Sequence, residues 1–221
     1  MDKPPEELLQ IAEEAYANRN FEKAREYADA VKARDVEKKY YAKAQLLKAD
    51  SYFTTESYPE AAVEYQIFLD LRTYHEDAPY AQYRLALSYF NQIDSVDRGY
   101  ENITRAKKEF ETLNKRYARN AYRELALAKI SRCNNMLAEY EAYVGTFYFN
   151  KGSYEAAAGR YEQLLANFPD SLVEMDVMLK LGQAYEELGR REDATAILNR
   201  LLVKYPTSKQ ASEAADILKG L

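Results

Sequence analysis

The chain has 221 residues, 47% of them hydrophobic and 30% charged, with only 7 glycines and 6 prolines. Low Gly and Pro with abundant Ala, Leu, Glu, Lys and Arg is the composition of helices, and it excludes a disordered chain. The net charge of −5 speaks against a nucleic-acid ligand, because a phosphate-binding surface needs a clear basic excess.

The opening residues, Met1-Asp2-Lys3-Pro4-Pro5, hold no hydrophobic signal core. No apolar run approaches the roughly 20 residues that span a bilayer. These features leave a cytosolic chain, or one from which an export segment has been removed. The single cysteine, Cys133, cannot form an internal disulfide; within a helical stretch it reads as a buried apolar filler.

Five helical pairs follow one another. The first helix of each pair carries a small residue at Ala12, Ala49, Ala86, Gly145 and Gly182, followed three positions later by Ala15, Tyr52, Tyr89, Tyr148 and Tyr185. The second helix carries an alanine at positions 24, 61, 106, 157 and 194. Seven positions on come Val31, Phe68, Leu113, Leu164 and Leu201. Two antiparallel helices approach closely only where the contact point lacks bulk, so Gly or Ala faces Ala there. No pair buries its apolar face alone, and neighbours must stack.

The clearest copies, Val144-Gly145-Thr146-Phe147-Tyr148 with Ala157, Tyr161 and Pro169, and Leu181-Gly182-Gln183-Ala184-Tyr185 with Ala194, Leu198 and Pro206, fit the tetratricopeptide pattern. The expected fold is therefore an all-α solenoid of five tetratricopeptide repeats, one superhelix over 1–221. Repeat one spans 1–35, repeat two 36–74, repeat three 75–119, repeat four 120–170 and repeat five 171–206. Residues 207–221 form a capping helix, with Ala211, Ala214, Ala215 and Leu218 on one side.

Two irregularities interrupt the period. Between Ala86 and Ala106 lie eight more positions than in the other pairs, and the surplus near 93–100, with Asp94-Ser95 and Arg98-Gly99, predicts a lengthened loop. Between repeats three and four the alanine spacing is 51 and not 37. The extra 14 residues are close to four helical turns. They predict a first helix of about 28 residues between Tyr122 and Asn150, with its packing face kept in register.

Little in the sequence suggests chemistry. His75, the only histidine, precedes Glu76-Asp77-Ala78-Pro79 at a helix start. One His and one Cys far apart give neither a zinc set nor a nucleophile–base pair. Pairs such as Glu6-Glu7, Glu13-Glu14 and Glu186-Glu187 are ordinary solvent-facing helix residues. No cofactor, metal or catalytic residue is expected.

The 21 tyrosines mostly belong to the repeat core. Others should line the concave groove formed by the first helices. In this frame the groove residues are Glu13 and Tyr16 in repeat one, Lys43, Asp50 and Phe53 in repeat two, and Tyr80, Tyr83, Phe90 and Asn91 in repeat three. Rings beside charged and amide groups suit an extended peptide, since the rings supply apolar area and the polar groups engage backbone. The corresponding positions of the later repeats, Thr146, Phe149, Asn150, Gln183, Glu186 and Glu187, are more polar and acidic and suit a different partner.

The stretch Ser57-Tyr58-Pro59-Glu60-Ala61-Ala62-Val63-Glu64-Tyr65, the run Asp77-Ala78-Pro79-Tyr80-Ala81-Gln82-Tyr83-Arg84-Leu85-Ala86, and Leu137-Ala138-Glu139-Tyr140-Glu141-Ala142-Tyr143-Val144-Gly145 resemble the BamD family. These are the tetratricopeptide lipoproteins of the bacterial outer-membrane β-barrel assembly machinery (BAM complex). The resemblance covers nearly the whole chain and includes both irregularities.

It implies a protein at the periplasmic face of the outer membrane, held by a lipidated N-terminal cysteine in place of which Met1-Asp2 stands here. N-terminal repeats would receive unfolded outer-membrane proteins. C-terminal repeats would dock on the periplasmic domains of the barrel subunit BamA, with other lipoproteins of the machinery as further partners. One departure is Tyr117-Ala118, where Tyr-Pro is usual in the family. Another envelope adaptor, serving cell division or cell-wall coordination, and an enzyme with a hidden site remain as alternatives.

Overall fold

A computed structural model describes residues 3–221, so the expectation attached to Met1-Asp2 lies outside the described residues. Eleven α-helices make up its regular structure among those residues. They fall into two compact units, Met1–Ile130 and Ser131–Leu221.

The first unit holds α1 (Pro5–Ala17), α2 (Phe21–Arg34), α3 (Tyr41–Thr54), α4 (Tyr58–Leu71), α5 (Ala78–Phe90) and α6 (Tyr100–Arg116). Helix α7 (Arg123–Asn150) has 28 residues; its first eight belong to the first unit and the rest to the second. The second unit continues with α8 (Tyr154–Asn167), α9 (Glu174–Glu187), α10 (Arg191–Lys204) and α11 (Lys209–Gly220). The fold is all-α, and the helices pair as tetratricopeptide repeats.

The small residues sit where helices of a pair cross. Ala12, Ala49, Ala86, Ala24, Ala61, Ala106, Ala157 and Ala194 are completely buried. A Cβ placed on Gly145 would lie 2.5 Å from Cε1 of Tyr161, and one on Gly182 would lie 2.5 Å from Cδ2 of Leu198. Both glycines are therefore required by helix approach and not by flexibility.

Four of the five intra-repeat turns are the same three-residue device. Arg19 (φ 60°), Glu56 (φ 59°), Gly152 (φ 72°) and Gly189 (φ 71°) each take the left-handed conformation. The next amide N–H then reaches back into the helix, from Asn20 to Ala15 O, Ser57 to Tyr52 O, Ser153 to Tyr148 O and Arg190 to Tyr185 O. This closes the helix C-terminus in a Schellman arrangement.

The third repeat departs from that turn. A loop over 91–99 replaces it, and α6 begins three residues further ahead of its alanine than α2 or α4 does. The loop covers 93–99 of the expected 93–100, and the added turn of α6 begins at Tyr100.

Two of the four joints between repeats carry a buried carboxylate. Asp35, after α2, accepts N–H bonds from Lys39 (3.1 Å), Tyr40 (2.6 Å) and Tyr41 (2.8 Å) at the start of α3. Glu174, at the first position of α9 and fully buried, accepts from Asp170 N–H (2.9 Å), Lys204 Nζ (2.8 Å) and the Tyr205 hydroxyl (2.7 Å), with Arg200 at 3.6 Å. Burial alone would raise its carboxyl, but the Lys204 and Tyr205 bonds outweigh that and hold it below the ordinary range.

The interior repeats add a polar pair between their two helices. Gln45 Nε2 donates to Glu64 Oε2 (2.5 Å), Gln82 Nε2 to Glu109 Oε2 (2.8 Å), and Arg160 Nη1 to Glu141 Oε2 (3.2 Å). The same positions in the first and last repeats are apolar or aromatic, Leu8 with Tyr27 and Met178 with Ile197. Cys133 is buried, and His75 accepts the Asp77 N–H at the start of α5 through Nδ1, at 3.1 Å.

Candidate peptide-binding groove

The residues singled out in the groove fall on α1, α3 and α5. Glu13 pairs with Lys43 at 2.5 Å on the exposed surface, joining the first two repeats. The Tyr16 hydroxyl lies 3.1 Å from Thr54 Oγ1, and its ring packs edge-on against Phe21.

Asp50 is the hub. Its Oδ1 accepts hydrogen bonds from the hydroxyls of Tyr65 on α4 and Tyr80 on α5, the latter at 2.7 Å. Arg84, one turn beyond Tyr80, brings Nη2 to 3.7 Å from the same oxygen and donates from Nε to the Tyr65 oxygen at 3.1 Å. The guanidinium also lies 3.6 Å from the centre of the Phe53 ring, a cation–π contact. Burial, with the Asp50 charge adding to it, pushes the Tyr65 and Tyr80 phenols well above their ordinary range. Both therefore stay hydroxyl donors across the physiological range.

Tyr83 stacks on Tyr122 with ring centres 4.8 Å apart and planes 11° apart. Burial raises its phenol as well. Phe90 departs from the expectation. It is only 9% exposed and packs edge-on against Phe110, with Lys129 Nζ 4.1 Å over the ring. At the last position of α5 its side chain turns into the helix pair, so it serves packing and not the groove. Asn91 is exposed just past the helix end, where its N–H bonds Leu87 O at 2.8 Å.

Glu13, Tyr16, Lys43, Asp50, Phe53, Tyr80 and Tyr83 thus sit on three successive first helices, with Asp50, Phe53 and Tyr80 in direct contact through Arg84. The frame missed Arg84, Tyr65 and Tyr122. Arg84 was legible as the neighbour of Tyr80 four positions on, and therefore on the same face. Tyr65 lies on a second helix, is fully buried, and meets the groove residues only through its hydroxyl on Asp50. Tyr122 lies just ahead of α7, where no periodicity applies.

Stacked helix pairs, small residues at their crossings and a groove of first helices define a tetratricopeptide-repeat protein. The solved TPR domain of P58(IPK) has this fold, with a TM-score of 0.51 at 14% identity over 97% of this chain and 56% of that one. An outer membrane protein assembly factor BamD from Rickettsia prowazekii is 29% identical over 177 residues, 80% of this chain and 70% of that protein. A BamD from Xylella fastidiosa is 26% identical over 162 residues, so that the chain spans 56% of that relative's length. The YfiO family model, described as outer membrane lipoprotein, matches residues 1–196. The chain belongs to this family.

Proposed function

We propose that the chain is a non-catalytic, protein-binding scaffold of outer-membrane β-barrel assembly, held at the periplasmic face of the outer membrane by a lipid anchor. Its N-terminal repeats receive unfolded outer-membrane protein segments, and its C-terminal repeats dock on the periplasmic domains of BamA, alongside other lipoproteins of the machinery. Family membership and the naming of its relatives as outer membrane protein assembly factors support this reading. Among the described residues no helix is long and apolar enough to cross a membrane.

The observation that carries the groove assignment is the half-buried aromatic strip of Phe53, Tyr80 and Tyr83 on α3 and α5, flanked by the ion pair of half-buried Glu13 with exposed Lys43. Half-buried rings offer a ligand apolar area without needing to reorganise, and the flanking charges suit peptide backbone.

The test is a titration with a labelled peptide carrying the aromatic-rich C-terminal segment of an outer-membrane β-barrel. Phe53→Ala with Tyr83→Ala should weaken binding by about 2–4 kcal/mol, the scale of a small hot-spot cluster. Unchanged affinity in a double variant with an unchanged melting curve would remove the groove assignment. Docking of the C-terminal repeats is tested by whether BamA is retained stoichiometrically from envelope extract on the lipidated protein.

A further inference from the structure

The groove between first helices is built on one register in both units, 96 positions apart. Asp50, Phe53, Tyr80 and Arg84 of the first unit correspond to Thr146, Phe149, Asp176 and Lys180 of the second. The geometry follows the register. The Tyr65 hydroxyl reaches Asp50, and the Tyr161 hydroxyl lies 3.2 Å from Thr146 Oγ1. Arg84 approaches Asp50 from the next repeat, and Lys180 Nζ donates to Thr146 Oγ1 at 3.2 Å from the next repeat. Arg84 covers the Phe53 ring, and Lys180 lies 6.0 Å from the centre of the Phe149 ring.

One position breaks the match. In the first unit Tyr80 crosses from α5 to α3 and ends on Asp50. In the second unit its counterpart is the short Asp176, whose Oδ1 accepts a 2.7 Å bond from Gln210 Nε2 of α11. A pocket of about 400 Å³ opens at this place, lined by Ala142, Val173 and Val177 together with Thr146 and Lys180. Tyr143, 60% exposed, lines it too, and Phe147, 53% exposed, follows one turn along α7. The volume lies within the range of small ligand sites and is ample for one aromatic side chain.

We infer that this pocket binds a tyrosine side chain presented by an extended segment of a partner polypeptide, in the place that Tyr80 fills from within in the first unit. The ring lies against Ala142, Val173, Val177 and Tyr143. The phenol oxygen accepts from Lys180, whose ammonium meets a hydroxyl here where Arg84 meets a carboxylate in the first unit. Glu139 and Asp176, which also line the pocket, accept N–H groups of the extended backbone, which a free phenol lacks. The inference names an anchor for docking by the C-terminal repeats and rests on that reading only for the source of the partner.

The probe is the blocked peptide acetyl-Gly-Tyr-Gly-amide, titrated into the whole chain and followed by amide and methyl NMR shifts. Saturable shifts at Ala142, Thr146 and Val177 are expected, with the Phe peptide weaker and the Ala peptide without effect. Asp176→Tyr plugs the pocket from α9 as Tyr80 does from α5, and should weaken binding at least about tenfold, or 1.4 kcal/mol. Ala142→Leu fills it from α7 with the same result, should Asp176→Tyr disturb the contact with α11. Lys180→Met should abolish the preference for Tyr over Phe.

No saturable shift in the unmodified chain, equal binding by both folded plugged variants, or a Tyr preference that survives Lys180→Met would overturn the assignment. Because the probe contains no envelope protein, peptide binding with no retention of BamA would leave the pocket standing and remove only the docking partner.

Discussion

At matched positions of a common repeat the two units resolve the same problems differently. Where helices cross, the first unit uses Ala12, Ala49 and Ala86, and the second uses Gly145 and Gly182. At the left-handed turn position, the first unit has Arg19 and Glu56, and the second has Gly152 and Gly189. In the groove, the first unit fills the gap between first helices with Tyr80 on Asp50, and the second leaves a pocket beside Thr146. The repeat frame thus dictates where backbone and side chains must meet, while the residue chosen there decides how closely helices pack and whether a groove is sealed or open.

The largest expected effect concerns the joint carboxylates. Glu174→Ala strands Lys204, the Tyr205 hydroxyl and the Asp170 N–H around an emptied site. It should cost about 3 kcal/mol in urea unfolding, the low end for a broken buried pair because Lys204 keeps part of its solvent. Since the folded carboxyl titrates below the ordinary range, its stabilisation is complete above the unfolded value of about 4.3 and is lost as pH falls through the folded value. Glu174→Gln should flatten that acid limb of the stability–pH curve; an unchanged limb would show that other carboxylates set it.

The crossing residues come next. Gly145→Ala and Gly182→Ala place a methyl against Tyr161 and Leu198, and each should cost about 1–3 kcal/mol by overpacking. Ala49→Gly in the first unit should also destabilise, by about 1 kcal/mol of helix propensity. If the second-unit glycines accept alanine without loss, helix approach does not distinguish the units.

The turns give the smallest effect, with opposite signs. Arg19→Gly and Glu56→Gly relieve a left-handed strain and should gain about 0.5–1 kcal/mol in thermal melts. Gly152→Ala and Gly189→Ala should lose a similar amount, although a Cβ at either glycine meets no atom within 4 Å. Equal signs in both units would tie the effect to side chains and not to backbone.

Much of this is legible in the sequence because small residues at fixed intervals admit one reading: helices that touch. The aligned alanines located every helix pair, and the 14 extra residues located α7 because helices add length in whole turns. Of residues 93–100, expected as loop, 93–99 lie in the loop and Tyr100 is the first residue of α6. In the groove the period identified which helix a residue occupies but not which way its side chain turns. Phe90 was lost to the core, and Arg84 and Tyr65 entered through contacts made across helices.

The polar pairs of the interior repeats have a further consequence. A chain of similar hairpins risks pairing a helix with the wrong neighbour, within one molecule or between two. Gln45 with Glu64 and Gln82 with Glu109 are nearly interchangeable, but Glu141 matches Arg160 alone, and against Glu109 it would set two like charges side by side. The reversed charge order at the fourth repeat therefore makes pairing of α7 with the second helix of an earlier repeat less favourable than pairing with α8.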